Sequence, residues 1–112
     1  MATLGTRDDE HRRFWDVAEP FLATGTLVEG SMMGHQCLRA SASNGFVATV
    51  ERVGGNLVVK LPRNRVSELI ETGEGLPFAP ARKVFREWVA LPVYDEARWT
   101  ELIEESIGFV DG

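Results

Sequence analysis

The alternation of apolar and polar residues over positions 45–61 predicts a β-hairpin. Gly54 and Gly55 lie at its centre and suit a two-residue turn, because glycine readily adopts the positive φ angles of such turns. This turn would place five pairs of residues opposite one another: Val53 and Asn56, Val50 and Val59, Ala48 and Leu61, Thr49 and Lys60, and Glu51 and Val58. The hairpin therefore has one apolar face and one mixed face.

The two faces predict where the core lies. We expect the terminal helices to cover the apolar face, which carries Phe46, Ala48, Val50, Val59 and Leu61. We expect the mixed face to be exposed, and it carries Thr49, Glu51, Val58 and Lys60. Function is then to be sought on the mixed face and at the edges of the sheet.

Two terminal segments have the periodicity of amphipathic helices. Acidic residues 8–10 precede an apolar stripe at helical spacing, formed by Phe14, Val17, Ala18, Phe21 and Leu22. Pro20 predicts a kink or break in this helix, which we expect to end by Gly25. Asp95 is a favourable N-cap for a last helix that buries Trp99, Leu102, Ile103, Ile107 and Val110.

The remaining segments predict further strands and a short helix. Residues 27–33 and 36–41 read as strands separated by Gly34, and residues 41–44 as a polar turn. Pro62 ends the hairpin, and a short helix with Val66, Leu69 and Ile70 ends at Gly73. Residues 73–80 are predicted as a loop and residues 83–91 as the last strand. The predicted fold is α+β, with an antiparallel sheet of about five strands, both terminal helices on one face and a short helix after the central hairpin.

Composition limits the class of protein. The chain has 112 residues, of which 44% are hydrophobic, and this is typical of one domain, here residues 1–112. Its single cysteine forms no internal disulfide, and its first residues lack the apolar run of a signal peptide, so we expect a cytoplasmic protein. No run approaches the roughly 18 apolar residues of a membrane span.

The charge is unevenly distributed. The net charge is −5, yet residues 31–91 carry more basic than acidic side chains. The simpler interpretation is solvated charge on two acidic terminal helices. The alternative is an anion-binding patch formed by Arg63, Arg65, Arg82, Lys83 and Arg86.

Residues with catalytic or metal-binding chemistry are few. His35 and Cys37 are two residues apart in a strand and so share a face, where they form a candidate pocket with Met33. Two such residues do not complete a metal site, and no third group orients them for nucleophilic catalysis, so we expect Cys37 to be a small buried side chain. We predict no catalytic residue, no metal ligand and no cofactor.

Aromatic residues suggest a second kind of surface. We expect Trp88 and Trp99 to pack between helices and sheet. Trp15 flanks the apolar stripe of its helix and is a candidate for an exposed aromatic in a partner surface. The predicted partner surface consists of Trp15, Thr49, Glu51 and Lys60.

Several short stretches follow one another in a characteristic order: Met32-Met33-Gly34, the strand from Phe46, Leu57-Val58-Val59-Lys60, Leu76-Pro77-Phe78, and Trp88-Val89 before a final helix. In this order, over about residues 10–110, the chain resembles the TfoX N-terminal domain family. Residues 86–89 and 104–110 are also similar to the neighbouring MmcQ/YjbR-like group. The resemblance implies an α+β module and supplies no catalytic residues. The regulatory role known in this family belongs to members with a second, C-terminal domain, and it does not carry over to an N-terminal domain alone.

Three functional hypotheses follow. The first is a non-enzymatic regulatory module that binds a protein partner or a second copy of itself through a sheet edge or the surface near Trp15. The second is weak nucleic-acid binding by the basic middle segment, opposed by the net negative charge. The third is a small-molecule-binding domain or an enzyme with a pocket between sheet and helices near His35 and Cys37.

Overall fold

A computed structural model describes residues 11–32 and 35–112, which form one antiparallel sheet and three α-helices. The helices are α1 (Arg12–Ala23), α2 (Arg63–Glu71) and α3 (Glu96–Asp111). The strands are β1 (Leu27–Met32), β2 (His35–Ala40), β3 (Phe46–Val50), β4 (Leu57–Lys60), β5 (Leu76–Pro77) and β6 (Trp88–Leu91). Their order across the sheet is β1-β2-β3-β4-β6-β5, and every neighbouring pair is antiparallel.

The α+β prediction is confirmed, with six strands in place of about five. The additional strand is β5, which pairs with β6 inside the stretch predicted as a loop. Two residues are too short for a strand pattern to be visible in the sequence. The predicted acidic helix start at residues 8–10 lies outside the described residues, as do Met33 and Gly34.

Helices α1 and α3 pack on the same face of the sheet and on each other. Helix α1 continues through Pro20, so the predicted break is wrong, and it ends before Gly25, whose φ is +77°. Helix α3 begins after Asp95, whose side chain accepts a hydrogen bond from the backbone N–H of Arg98 at 3.1 Å. The predicted N-cap is therefore confirmed.

The core lies between these two helices and the sheet. Its largest fully buried side chains include Phe14 of α1, Leu102 and Ile103 of α3, and Leu38 and Leu57 of the sheet. Trp99 is also buried there, as predicted. Trp15 is only 6% exposed and packs edge-to-face on Phe14, so the prediction of an exposed Trp15 is wrong.

The central hairpin forms, but with a longer turn than predicted. Its loop spans residues 52–55, and the backbone N–H of Glu51 donates to the Asn56 carbonyl at 2.9 Å. The Asn56 side-chain amide also donates to the Glu51 carboxylate, at 2.9 Å, which closes the ends of both strands. The observed pairs are Ala48 with Val59, Thr49 with Val58, and Val50 with Leu57. A shift of two residues leaves the side chains of these three pairs on their predicted faces, because side chains alternate with a period of two.

A β-bulge in β3 changes the face of Phe46. Leu38 pairs with Ala48 and Arg39 with Phe46, so Val47 is an extra residue in β3. Val47 joins the core beside Ala48, whereas Phe46 lies on the opposite face and stacks on Trp88. The prediction that Phe46 belongs to the core under the helices is therefore wrong.

The last strand is shorter than predicted. Residues 83–87 do not pair with the sheet but follow a 3-10 helix, Pro80–Arg82, and only Trp88–Leu91 form β6. Val89 and Leu91 enter the core, and Trp88 points to the other face. The prediction that Trp88 packs between helices and sheet is therefore wrong. None of the helices described in residues 11–32 and 35–112 is long and apolar enough to cross a membrane.

The N-cap of α3 provides a test of the fold. We expect Asp95→Ala to lower the free energy of unfolding by about 1 kcal/mol, because an N-terminal backbone amide loses its acceptor. Urea denaturation followed by circular dichroism measures this. The control is Glu104→Ala on the exposed side of the same helix, which we expect to change stability by less than about 0.5 kcal/mol. Equal losses in the two variants would contradict the capping role of Asp95.

Candidate functional site

The face of the sheet opposite α1 and α3 holds a cleft of about 350 Å³, here called the sheet cleft. Its apolar lining consists of Met32, Val50, Val53, Val58, Phe78, Pro80 and Trp88. Its polar lining consists of His35, Cys37, Thr49, Glu51 and Arg52. The cleft thus has an apolar body with polar groups from the β2 and β3 strands and the hairpin loop.

Two rings in the wall of this cleft, Phe78 and Trp88, belong to a set of four stacked rings, called the aromatic cluster, that also includes Phe46 and Phe85. Trp88 is at their centre, with ring centroids 4.5 Å from Phe46, 4.8 Å from Phe85 and 5.5 Å from Phe78, all in stacked geometry. Such pairs are favourable beyond the area that they bury. The cluster therefore covers part of the sheet face that the helices leave open.

The backbone of residues 78–88 holds the rings in place. The N–H of Phe85 donates to the Phe78 carbonyl at 3.0 Å, and the N–H of Trp88 donates to the Phe85 carbonyl at 3.2 Å. These bonds fold the segment back on itself across the end of β6. Phe78 and Phe85 are therefore placed by local turns rather than by the sheet ladder.

His35 is fixed by both ring nitrogens. Its Nε2 lies 2.8 Å from the Val50 carbonyl, which can only accept, so Nε2 carries the proton. Its Nδ1 accepts from Arg52 Nε at 3.5 Å, a long contact. His35 thus joins β2 to the end of β3 and positions Arg52 at the mouth of the cleft, where the Arg52 side chain is exposed.

Cys37 and Thr49 pair across β2 and β3 at the base of the cleft. Burial raises the pKa of the Cys37 thiol above its ordinary value of 9.0, and nearby Arg39 opposes this rise in part. The Thr49 hydroxyl donates to the Gln36 carbonyl at 2.5 Å. The base therefore presents a neutral thiol and a hydroxyl whose proton is already bonded.

The structure brings two of the three predicted pocket residues together. His35 and Cys37 line the sheet cleft, Met33 lies outside the described residues, and the neighbouring Met32 lines the cleft. The predicted location between sheet and helices is wrong, because the cleft opens on the other face. Sequence analysis also missed Phe78 and Arg52, since neither the strand order nor the turn of residues 78–88 is visible in a residue pattern.

The predicted partner surface is not an exposed surface. Trp15 and Thr49 are buried, and Val58 on the same face as Thr49 is 0% exposed. Glu51 is half-buried, and Lys60 is half-buried at 3.9 Å from Glu87. The mixed face of the hairpin is covered in part by the aromatic cluster, so the expectation that it is exposed is wrong for Thr49 and Val58.

The predicted anion patch is only partly assembled. The Arg65 guanidinium is bonded to both carboxylate oxygens of Glu105, at 2.9 and 3.0 Å, and to Glu68 at 3.0 Å. Those hydrogen bonds raise the pKa of Arg65 and occupy its donors. Arg63 and Arg86 line one shared groove, whereas Arg82 and Lys83 are exposed beside it.

Within residues 11–32 and 35–112, no group of three or more His, Cys, Asp or Glu side chains is arranged to hold a metal ion. Neither protein-family models nor curated proteins give a match to this chain.

The buried thiol provides a test of the cleft base. The raised pKa of Cys37 means that the unfolded chain releases the thiol proton at lower pH than the folded protein. The thiol's contribution to stability is therefore complete below its ordinary pKa and is lost as the pH rises through the folded value. We expect wild-type protein to lose stability relative to Cys37→Ala as the pH rises above the ordinary thiol pKa of 9.0.

Urea denaturation of both proteins under reducing conditions measures this difference. If the stability of wild type relative to Cys37→Ala stayed constant or increased as the pH rises, Cys37 would not be desolvated in the folded protein.

Proposed function

We propose that this protein is a non-enzymatic binding module whose sheet cleft takes a small, largely apolar ligand. The observation that carries the proposal is an aromatic-walled cleft of about 350 Å³ on the sheet face that α1 and α3 leave open. Ligand pockets are typically apolar, of about 300–1,000 Å³, with a few fixed polar groups. This cleft is at the small end of that range and fits a ligand of one or two rings.

The walls favour a flat ring. Phe78 and Trp88 line the cleft as part of a stacked cluster, and Met32 and Val53 contribute flexible or exposed apolar surface near the mouth. A planar ligand gains both apolar burial and ring stacking against such a wall. Arg52 adds a polar contact, because its one bond within the cleft, to His35, leaves other guanidinium donors available.

The polar groups support binding rather than catalysis. His35 has the Val50 carbonyl on one ring nitrogen and Arg52 on the other, so neither nitrogen is aimed at Cys37. The raised pKa keeps the Cys37 thiol protonated near neutral pH, and only the thiolate is a strong nucleophile. A base and an activated nucleophile are what acyl or group transfer needs.

Membership of the TfoX N-terminal domain family is part of the same proposal. It is supported by the order of the short stretches in the sequence, from Met32 through the hairpin to Trp88 and the last helix. In this interpretation the ligand in the cleft is an effector, and its binding changes the affinity of the module for a protein partner. The ligand then acts by favouring one state of the module over another.

Indole provides a direct test of the cleft. We expect indole to shift the NMR methyl signals of Met32, Val50, Val53 and Val58, which line the cleft. The variant Met32→Trp fills the mouth with a half-buried side chain, and we expect it to weaken indole binding by about tenfold or more, equivalent to about 1.4 kcal/mol.

The matched control is Val93→Trp, which adds a similar bulk at a position that is 73% exposed and outside the cleft. We expect this control to bind indole as wild type does. Indole shifts confined to other regions, or equal losses in both variants, would overturn the assignment of the cleft.

A second candidate function is pairing with a protein partner along β1. Strand β1 is at one edge of the sheet, and its outer side pairs with no other strand in the described part of the chain. Val28, the second residue of this strand, is 41% exposed. Unpaired strand edges are sites at which another chain can add a strand.

Sedimentation velocity tests this candidate with a second copy as the partner. We expect wild-type protein to show concentration-dependent dimers, and Val28→Lys to shift the equilibrium toward monomer by about tenfold, because a charge on an edge strand opposes pairing. Val84→Lys, a change at another exposed valine far from β1, serves as the control. A wild-type protein that stays monomeric at all concentrations would exclude self-pairing through β1.

A further inference from the structure

Three arginines differ from the other basic residues. Most Lys and Arg side chains in residues 11–32 and 35–112 contact an acid, a carbonyl, a ring or His35, as Arg98 does with Glu74 at 2.6 Å. In the same ranges Arg63, Arg82 and Arg86 make no hydrogen bond, ion pair or ring contact. Arg63 is the first residue of α2. Arg82 and Arg86 belong to residues 78–88, the segment that carries three rings of the aromatic cluster.

Two of these unpaired arginines share a groove. Arg63 at the start of α2 and Arg86 of the segment before β6 both line a groove of about 250 Å³, here called the arginine groove. Its apolar lining includes Val66, Ile70, Val84, Phe85 and Trp88. The arginine groove therefore combines two guanidinium groups with an aliphatic and aromatic wall.

The acids nearest in sequence do not neutralise this groove. Glu68 on α2 is bonded to Arg65, and Glu87 next to Arg86 is 3.9 Å from Lys60. No Asp or Glu is among the residues that line the groove. A chain with a net charge of −5 thus keeps two uncompensated positive charges at one concave site.

We propose that the arginine groove binds a small organic phosphate with an apolar or aromatic ester group. A phosphate monoester has three terminal oxygens and can accept hydrogen bonds from two guanidinium groups at once, whereas one arginine already satisfies a carboxylate. The ester group packs on Val84 and Phe85. The ligand then contacts both the guanidinium groups and the apolar wall, whereas an inorganic anion would contact only the guanidinium groups.

This site is distinct from the sheet cleft. Arg63, Arg86 and Phe85 do not line the sheet cleft, and His35 and Cys37 do not line the arginine groove. Trp88 lines both, so the aromatic cluster separates the two. Binding at one site can therefore be tested while the other is left unchanged.

Phenyl phosphate is the probe, measured by isothermal titration calorimetry at low salt. We expect Arg63→Gln/Arg86→Gln to weaken its binding by at least about tenfold, because the phosphate loses its charge-assisted hydrogen bonds to both guanidinium groups. Arg82→Gln/Lys83→Gln is the matched control, since it also removes two positive charges, but from residues beside the groove rather than in its lining. We expect less than about a threefold change in that control.

The ligand class is tested with three further probes. We expect benzoate and inorganic phosphate each to bind at least about tenfold more weakly than phenyl phosphate, because the first lacks the third oxygen and the second lacks the ring. Equal affinity of either with phenyl phosphate would overturn the proposed class. A short single-stranded RNA that binds more tightly than phenyl phosphate, and depends on the same two arginines, would replace the small phosphate by nucleic acid.

Two other outcomes overturn the site itself. One is an equal loss of phenyl phosphate affinity in both double variants, which would show that only the net charge of the protein matters. The other is no phenyl phosphate binding to wild type up to about 10 mM. The single variant Arg86→Gln checks the result independently of α2, and we expect an affinity between those of wild type and Arg63→Gln/Arg86→Gln.

Discussion

The stack of Phe46 on Trp88, with 4.5 Å between ring centroids, determines how the second face of the sheet is used. Phe46 reaches that face only because the bulge at Val47 reverses its direction relative to the rest of β3. Trp88 in turn supports Phe85 and Phe78, which belong to a segment outside the sheet ladder. One ring pair thus fixes a loop against the sheet face that α1 and α3 leave open.

The two proposed binding sites lie on either side of the aromatic cluster. The sheet cleft uses the cluster as a wall above Cys37 and Thr49, with Arg52 at its mouth. The arginine groove uses the same cluster beside α2, with two unpaired guanidinium groups. Because Trp88 contributes to both, a ligand that moves its ring at one site changes the shape of the other.

The elements that the sequence predicts correctly depend on local patterns. The stripe of α3 and its Asp95 N-cap, and the alternation in β1 to β4, are set by neighbours within a few residues. The sites depend instead on long-range events. Three features depend on residues far apart in the chain: the bulge at Val47, the burial of Thr49, and the hydrogen bonds of Arg65 to Glu105. His35 and Cys37 were identified because a shared strand face is a local property.

Trp88 lines both proposed binding sites, and the variant Trp88→Leu removes its ring from both. The measurement is the affinity of this variant for indole and for phenyl phosphate, with NMR signals of α1 and α3 as the check that the core is intact. We expect both affinities to fall by about tenfold or more while the core signals are unchanged. A folded Trp88→Leu variant that binds both probes as wild type does would show that Trp88 is not a shared wall of the two sites.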